Sequence, residues 1–540
     1  MSSLPSSSVD PTTSKNEPGE NGEDDEQSGV NEISSSAINE EKDGETDRQK
    51  RRIKIAVAGC VHGEIETVYR TIASIEKRDS IKVDLVICCG DFQSVRNFGD
   101  LHHMHVNQKF RRIQSFYKYY SGEGVAPILT IFVGGNHEAS GFLLELPNGG
   151  WVAPNIYYMG FANVLDFGGL RIAGLSGIFK PMDYFKGRYE RPPFSNGSEI
   201  SAYHVRALEV FRLRQLREKD GEQEKNCVDI VVSHDWPAGI TEYGDVQQLL
   251  KFKPYFQEDI QQCKLGNSST MQLLQELRPR YWFAAHLHCG FPALVPHETE
   301  NGEQLEPTRF LALDKPIPGR HFLQILDFDV NEDAELKLNY DPTWLAILKS
   351  TDHLTEITSQ KVYLPSKQSK ERWDFRPVDE ELENAHKLGD LVVPKDFYHT
   401  APPLKEITKV RQNDPSSLYY KNPQSERFCQ WVGIRNLNAM LAETTKEIGT
   451  PFYISDVSAE KGVIDENSQD EKEFGELGFV IDGAAGRNEA MDASVGTEMV
   501  ASSNEWTAPV ASVDDLDSLL AGFEAPPIGG GPPDAKRPKS

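Results

Sequence analysis

Ile53-Lys-Ile-Ala-Val-Ala58 is an apolar segment that stops at Gly59 and leads directly into Cys60-Val-His62. The same arrangement, an apolar run stopped by glycine and followed by polar residues, returns at Val83–Asp91 and Ile128–Asn136. Such runs, separated by helical stretches, predict an α/β fold with a covered and largely parallel sheet. Functional side chains gather at the carboxyl ends of the strands in such sheets. The polar residues at these strand ends are therefore the candidates for a site.

Metal-binding residue types follow five of the predicted strands. Later strands are expected at Val164–Phe167, Arg171–Leu175, Val228–Ser233, Tyr281–Ala285 and Phe322–Phe328. A single histidine after a strand is more often a cap or a core residue than a ligand, but five such segments in one chain jointly predict a shared metal site. The residues that follow the strand ends are Cys60, His62, Asp91, Asn136, His137, Glu138, His234, Asp235, His286 and His288.

This mixture of donors suits two divalent cations. One carboxylate can bridge both cations, while neutral imidazoles and an amide carbonyl complete the ligand shells without adding charge. Two cations roughly 3.5–4 Å apart can stabilise both the attacking and the leaving oxygen of a phosphoryl displacement and acidify a water. The pattern therefore predicts a phosphoester hydrolase.

The formal net charge of -26 is concentrated at the two ends of the chain. Residues 1–50 contain 13 acids and 4 bases, and residues 456–540 contain 18 acids and 6 bases. Both segments have few aromatic residues, and we predict that they are disordered acidic tails. The remaining chain is close to neutral, so an acidic pI is weak evidence against a nucleic-acid substrate.

The predicted organisation places a catalytic domain at residues 51–330 and a smaller, mostly helical domain at residues 331–455. Within the second domain, Asp341–Lys349 is expected to form a short capped helix. No apolar run is long enough to span a bilayer, and the N-terminus has no secretory signal. Seven cysteines without a disulfide spacing indicate a reduced, intracellular protein.

The five segments resemble the signature of the calcineurin-like metallophosphoesterases, which reads D-x-H, G-D-x-x-D, G-N-H-E/D, H and G-H-x-H. The sequence departs from it in three places: Cys60 stands where the first Asp is expected, Phe92-Gln-Ser94 ends the second block, and Ala285 replaces a Gly. These departures match one branch, the RNA lariat debranching enzymes. The resemblance covers residues 53–450 and extends to Gly90–Asn97, Gly135–Ser140, Gly149–Tyr158, Ser176–Phe179, Val232–Pro237 and Asp341–Leu348.

The resemblance implies an α-β-β-α sandwich of the metallophosphoesterase type and divalent cofactors, Fe²⁺, Zn²⁺ or Mn²⁺, with one or two ions per chain. It implies a bridging and catalytic role for Asp91, and a role for His137 in protonating the leaving oxygen. Glu138 either orients His137 or is a helix-start carboxylate. One implied metal pocket contains Asp91, Asn136, His234 and His286, and the other contains Cys60, His62, Asp91 and His288.

Cys60 leaves two alternatives open. As a thiolate ligand it would favour softer ions such as Zn²⁺ or Fe²⁺ over Mg²⁺. As a small filler residue it would leave the second pocket weak or empty.

Gly177–Phe194 mixes basic and aromatic residues without periodicity, which suits phosphates and unpaired bases. The resemblance places the loop that recognises the lariat branch here, although composition alone fits an ordinary surface insertion equally well. Arg96 and Asn97 follow Asp91 closely and are predicted to touch the scissile phosphate. Lys109–Tyr120 has helical periodicity and is expected to be a core-facing helix. The substrate-binding candidates are Arg96, Asn97, Lys180, Tyr184, Lys186, Arg188 and Tyr189.

The resemblance implies hydrolysis of the 2′–5′ phosphodiester at the branch of excised intron lariat RNA. The alternatives are a general phosphatase or nuclease and a non-catalytic scaffold on the same fold. A nuclear location, with the cytoplasm as a second compartment, is expected from that substrate. In the C-terminal tail, residues 513–523 have leucines at helical spacing, which predicts a helix formed on a protein partner or an isolated hydrophobic patch.

Overall fold

The structure is a computed structural model that describes residues 50–217, 228–299, 301–406 and 420–443. Residues 1–49 of the predicted N-terminal tail and the whole predicted C-terminal tail, including residues 513–523, lie outside the described residues, and so does Cys227. Lys50, which was assigned to the N-terminal tail, is the first residue of a strand. The predicted domain boundaries near residues 50, 330 and 455 stay predictions. None of the described helices is long and apolar enough to cross a membrane.

Thirteen strands in the described part of the chain form two sheets. In chain order they are β1 (Lys50–Ala58), β2 (Leu85–Cys88), β3 (Thr130–Phe132), β4 (Gly150–Ala153), β5 (Ile156–Tyr158), β6 (Ala162–Phe167), β7 (Leu170–Leu175), β8 (Ile230–Ser233), β9 (Tyr281–Ala284), β10 (Phe291–Glu298), β11 (Gln304–Ala312), β12 (Leu323–Asn331) and β13 (Leu338–Tyr340).

The first sheet has the order β12-β1-β2-β3-β5-β4, and the second has the order β10-β11-β9-β8-β7-β6-β13. Strands β1, β2, β3 and β5 are parallel, as are β7, β8, β9 and β11, whereas the outer strands pair antiparallel. The parallel strands therefore lie in the middle of each sheet. Their carboxyl ends carry the predicted ligands.

The described α-helices are mostly short and cover the sheets and the C-terminal part. They are α1 (Ile65–Asp79), α2 (Phe116–Tyr120), α3 (Ser140–Leu143), α4 (Pro181–Tyr184), α5 (Asn196–Ser201), α6 (Ala207–Arg214), α7 (Val246–Phe252), α8 (Gln257–Gln261), α9 (Thr270–Leu277), α10 (Pro342–Ser350), α11 (Asp379–His386), α12 (Pro423–Val432) and α13 (Leu437–Glu443). Short 3₁₀ helices lie at Asp100–His103, Gln108–Phe110, Ile240–Tyr243, Pro254–Phe256, Asp352–Leu354 and Leu404–Glu406.

The alternation of side chains along β1 explains how the layers stack. Ile53, Ile55 and Val57 belong to the large core that also contains the second sheet. Ala56 and Ala58 point the other way, into the core beneath α1 and α2. One face of the first sheet therefore meets the second sheet and the other meets helices. This arrangement is the predicted α-β-β-α sandwich.

The C-terminal part adds one strand and several helices. β13 extends the second sheet by pairing antiparallel with β6. The predicted helix after it is α10, and its cap is as expected, because Oδ1 of Asp341 accepts a 2.8 Å hydrogen bond from the amide of Trp344.

Sequence patterns missed several elements. Strands β4, β5, β10, β11 and β13 were not predicted, since three of them have only three or four residues and β10 and β11 are interrupted by prolines. The single helix expected at Lys109–Tyr120 is wrong. It is divided into a 3₁₀ turn and α2, with Gln114 between them in a left-handed conformation (φ 55°).

Candidate metal centre

The loops after five parallel strands converge at one edge of the sandwich. Four predicted ligands have a positive φ there: His62 (49°), Asp91 (46°), His286 (62°) and His288 (49°). Such backbone conformations are uncommon for these residue types and cluster at functional sites. The bends turn these side chains toward one another instead of along the strands.

Two glycines permit this close approach. A Cβ at Gly90 would lie 2.3 Å from Nδ1 of His234, and a Cβ at Gly135 would lie 2.2 Å from Oδ1 of Asp91. Any side chain at either position would therefore displace a candidate ligand. This is the physical reason for glycine at the ends of β2 and β3.

Cys60, His62, Asp91 and His288 form one compact cluster, in which their ligand atoms all lie within 4.8 Å of one another. Nε2 of His62 is 2.9 Å from Nε2 of His288 and 3.6 Å from Oδ2 of Asp91. Sγ of Cys60 accepts a 3.1 Å hydrogen bond from the backbone N–H of His286. The structure thus brings together all four residues of one predicted pocket.

In the other predicted pocket, His234 lies beside the opposite oxygen of Asp91, and Asn136 and His286 adjoin His234. Nε2 of His234 lies 3.4 Å from Oδ1 of Asp91 and 3.1 Å from Oδ1 of Asn136. Nδ1 of His234 is 2.7 Å from the carbonyl oxygen of Cys89, which can only accept, so Nδ1 carries the proton and Nε2 presents a lone pair. The ring of His286 lies 5.0 Å from that of His234, centroid to centroid.

The electrostatics favour neutral imidazoles and an ionised Asp91. Burial lowers the pKa of His62 to about 4, of His286 to about 3 and of His288 to about 2. Burial by itself would raise the pKa of Asp91, but the surrounding imidazoles and the amide of His137 outweigh it and hold that pKa far below its usual range. Neutral imidazoles and a carboxylate are the forms that bind metals.

The cluster fits a divalent cation. Oδ2 of Asp91 is buried and accepts no hydrogen bond from the described residues. A buried carboxylate oxygen without a donor is costly, and a cation would satisfy it. Burial, followed by the charge of Asp91, raises the pKa of the Cys60 thiol well above its usual range. A bound cation would reverse this, because coordination deprotonates a thiol.

Glu138 neither orients His137 nor starts a helix. Its buried carboxylate accepts hydrogen bonds of 2.8–2.9 Å from the backbone N–H groups of Phe92, Gln93 and Gly135. Burial raises its pKa to about 8, although the three amides favour the charged form. Glu138 therefore joins the loop after β2 to the loop after β3, and with them Asp91 to Asn136.

His137 lies beside the cluster. Its backbone N–H donates to Asp91, and its ring centroid is 5.7 Å from that of His62. The side chain is partly exposed, unlike that of His234. This position leaves the imidazole accessible from outside the cluster.

Arg96 and Asn97, which were predicted to contact the scissile phosphate, lie in the interior. The guanidinium of Arg96 is buried, and its hydrogen bonds reach Asp100, Glu145 and Thr400. The amide of Asn97 donates to the carbonyl of Pro402 and accepts from the N–H of Gly99. This geometry does not support a phosphate contact, because the polar atoms of both side chains are engaged in hydrogen bonds within the protein, including those to Thr400 and Pro402 of the C-terminal part.

Residues of the predicted recognition loop are divided between surface and interior. Arg188 is buried, stacks over Phe161 and pairs with Glu209, which does not support its predicted contact with RNA. Lys186 pairs with Asp183 at 2.7 Å, and Tyr189 is 3.2 Å from Ser201, Oη to Oγ. Tyr184 packs partly against the core. Lys180 is exposed, and its positive charge contributes to the lowered pKa of His286, after burial and His234.

Three further residues adjoin the centre and were missed. Nε2 of Gln93 lies 3.3 Å from Nδ1 of His62. The charge of Lys315 lowers the pKa of His62 and His288, in addition to burial. Burial raises the pKa of Tyr203 well above its usual value, and the charge of Asp91 adds to this increase. Gln93 stood inside a quoted motif, but no sequence signal marked Lys315 or Tyr203.

The sequence comparisons agree with this geometry. The family model described as calcineurin-like phosphoesterase matches residues 53–290, and the model described as lariat debranching enzyme, C-terminal domain, matches residues 306–437. The Caenorhabditis elegans lariat debranching enzyme is 54% identical over 448 residues, which cover 81% of this chain and 88% of that protein.

The chain belongs to the lariat debranching enzyme family. Other members of the family with high similarity are the Xenopus laevis lariat debranching enzyme A, 47% identical over 73% of each chain, and the human lariat debranching enzyme. The human protein is 45% identical over 73% of this chain and 72% of its own length. Membership of the family confirms the resemblance found in the five strand-end segments.

Proposed function

We propose that this chain hydrolyses the 2′–5′ phosphodiester at the branch point of lariat RNA, as a metal-dependent enzyme. The observation that carries the proposal is the buried, unpaired Oδ2 of Asp91 within a cluster of four converging ligands. The similar proteins are lariat debranching enzymes, which favours lariat RNA over the substrates of a general phosphatase or nuclease. The complete set of candidate ligands in both pockets speaks against a non-catalytic scaffold.

Divalent cations would be held by the two groups that share Asp91. Cys60, His62 and His288 would bind on the side of Oδ2, and Asn136, His234 and His286 on the side of Oδ1. When bound, such cations polarise the phosphoryl group and lower the pKa of water. The thiol of Cys60 supports Fe²⁺ or Zn²⁺, or Mn²⁺ as a harder substitute, over Mg²⁺.

The role of His137 follows from its position. It lies on the same loop as Asn136 and is fixed to Asp91 through its backbone, while its ring remains partly exposed. A histidine in this position can hold a proton next to the leaving 2′-oxygen and transfer it as the P–O bond breaks. Gln93 would hold the ring of His62 from behind, through Nδ1.

A comparison of linkages tests the proposal. Wild-type protein should open a branched RNA at its 2′–5′ bond, so that a compact circle becomes linear on a denaturing gel, and leave the 3′–5′ bonds of the same molecule intact. Equal rates for 2′–5′ and 3′–5′ linked oligonucleotides would favour a general nuclease. No cleavage together with no bound metal would favour the scaffold.

Two further proposals concern the cellular location of the protein and a protein partner. A nuclear location is proposed because intron lariats arise there, with the cytoplasm as a second compartment. A protein partner for residues 513–523 is proposed from the leucine spacing alone.

A further inference from the structure

A segment between β8 and α9 leaves the sandwich next to a candidate ligand and returns to the same place. It begins directly after His234, and its two ends are joined at Trp236, whose carbonyl accepts a 2.7 Å hydrogen bond from the N–H of Asn267. Midway, Gly244 forms a β-bridge with Ala293 near the start of β10. Because β10 begins three residues after His288, this segment borders the metal centre.

The outer surface of this segment exposes two aromatic rings. Phe252, the last residue of α7, is 73% exposed, and Tyr255, in the following 3₁₀ turn, is 59% exposed. Leu249 and Phe256 in the same turns are buried and anchor the segment to the core. The anchors hold the backbone of the segment against the core, while the two rings remain in solvent. Neighbouring exposed rings form a candidate binding surface.

Basic groups lie beside these rings and beside the centre. Nζ of Lys253 is 6.0 Å from the ring centroid of Tyr255. Lys315 and Arg320 belong to the loop between β11 and β12, which lies against the ligand loops. The N–H of Gly59 donates a 2.9 Å hydrogen bond to the carbonyl of Phe322 at the end of this loop, and a Cβ at Gly290 would lie 3.6 Å from Nδ1 of His321. Lys315 and Arg320 are therefore on the side of Cys60 and His288.

The centre thus has basic residues on two flanks. Lys180 belongs to the loop at 177–194, which is tied to the loop after β8 because the N–H of Phe179 donates a 3.0 Å hydrogen bond to Asp235. Lys315 and Arg320 lie on the flank of His288, and Lys253 belongs to the segment that is bridged to β10 on that flank. Three RNA strands leave the branch nucleotide of a lariat, so a protein that holds the branch needs contacts on more than one side. The loop at 177–194 lies on one flank of the centre.

We propose that Phe252, Tyr255 and Lys253 form a stacking platform for unpaired nucleotides of one arm of the branched RNA, an assignment that rests on the proposed function. Aromatic faces stack on any base, and a neighbouring lysine neutralises a phosphate, so the platform binds single-stranded RNA with little sequence preference.

The test compares branched RNAs with long arms and with one arm at a time shortened to a single nucleotide. Phe252→Ala/Tyr255→Ala should raise KM for the long-armed RNA about tenfold or more and leave kcat within about twofold, because the rings do not touch the reacting atoms. Shortening the arm that stacks should raise KM of the wild type and abolish the difference between wild type and variant.

Two further variants keep the result interpretable. Phe252→Tyr/Tyr255→Phe retains both rings and should retain the wild-type KM, and Tyr398→Ala removes an exposed ring elsewhere and should do the same. A folded alanine double variant with wild-type KM on the long-armed RNA would overturn the platform. So would a rise in KM that is equal for all arm lengths. Wild-type protein that opens no branched RNA at all would overturn the proposed function, and the platform with it.

Discussion

The backbone N–H of His137 donates a 2.8 Å hydrogen bond to Oδ1 of Asp91. This bond joins the loops after β3 and β2, and it occupies one carboxylate oxygen while Oδ2 is left without a donor. The position of the His137 imidazole is therefore linked through the main chain to the residue that joins both ligand groups. Replacing the side chain of His137 leaves this backbone bond in place.

For that reason His137→Ala tests chemistry separately from assembly. We expect kcat for the branched RNA to fall by about two to four powers of ten, while affinity for the RNA and the metal content stay at wild-type values. Single-turnover cleavage and elemental analysis measure the two quantities. His102→Ala, at an exposed position, is the matched control. A His137→Ala protein with wild-type turnover would remove its role as the acid.

Replacing Glu138 tests whether metal binding requires the loops after β2 and β3 to be joined. Glu138→Ala leaves the amides of Phe92, Gln93 and Gly135 without their acceptor in a buried place. Unpaired buried donors cost about 1–3 kcal/mol each, so the free energy of unfolding should fall by at least about 3 kcal/mol and metal affinity should fall with it.

The comparison is denaturant unfolding and metal titration, with Glu380→Ala on α11 as the exposed control. The stability and the metal affinity of Glu138→Gln should lie between those of wild type and Glu138→Ala. The oxygen of the glutamine amide can still accept a hydrogen bond, but its NH₂ group would face a backbone donor. Unchanged metal affinity in Glu138→Ala would separate this residue from the centre.

Replacing Arg96 distinguishes a structural role of this residue from a contact with an RNA phosphate. Arg96→Met leaves the buried carboxylates of Asp100 and Glu145 without their cation, which typically costs about 3–5 kcal/mol. The free energy of unfolding should fall by that amount, and the RNA affinity of the folded fraction should not change. Arg52→Met, which breaks an exposed pair with Asp329, should cost less than about 1 kcal/mol. Loss of RNA affinity without loss of stability would support the predicted contact between Arg96 and a phosphate.

His297 gives the chain a pH-dependent stability far from the ligand loops. Oγ1 of Thr308 donates to the carbonyl of Pro279, and its oxygen lies 2.7 Å from Nε2 of His297, so Nε2 carries the proton and donates. Burial lowers the pKa of His297 to about 4. Its contribution to stability is complete above the unfolded pKa of about 6.5 and is lost as the pH falls from there toward 4.

The measurement is the free energy of unfolding at pH 7 and pH 4.5 for wild type and His297→Gln. Wild type should lose about 2 kcal/mol more than the variant over this range. Other histidines titrate equally in both proteins and cancel in the difference. Identical pH dependence in the two proteins would show that His297 is not kept neutral by burial.

Sequence patterns predicted the fold and the convergence of the candidate ligands, because both depend on short local signals. A buried parallel strand followed by glycine and a polar residue is visible in the chain itself, as at Val57–His62, and parallel topology then brings the strand ends together. Cys60, His62, Asp91 and His288 were found in this way, and the structure places them in one cluster.

The substrate surface could not be predicted in the same way. Arg96 and Arg188 are basic residues near the site in sequence, yet both are buried against carboxylates that are distant in the chain, Glu145 and Glu209. Lys315 and Lys253 reach the centre only through the pairing of β11 with β9 and the bridge at Gly244. Composition does not distinguish a buried arginine from an exposed one, since that depends on long-range packing.

Metal reconstitution with Asp91→Asn tests the central claim most directly. Protein stripped of metal by a chelator should not open branched RNA, and addition of Fe²⁺, Zn²⁺ or Mn²⁺ should restore cleavage to the wild type. Asp91→Asn should bind less metal and remain inactive with every ion, because its amide cannot serve two cations. Cleavage at the wild-type rate by the metal-free protein, or by the Asp91→Asn variant, would contradict the account.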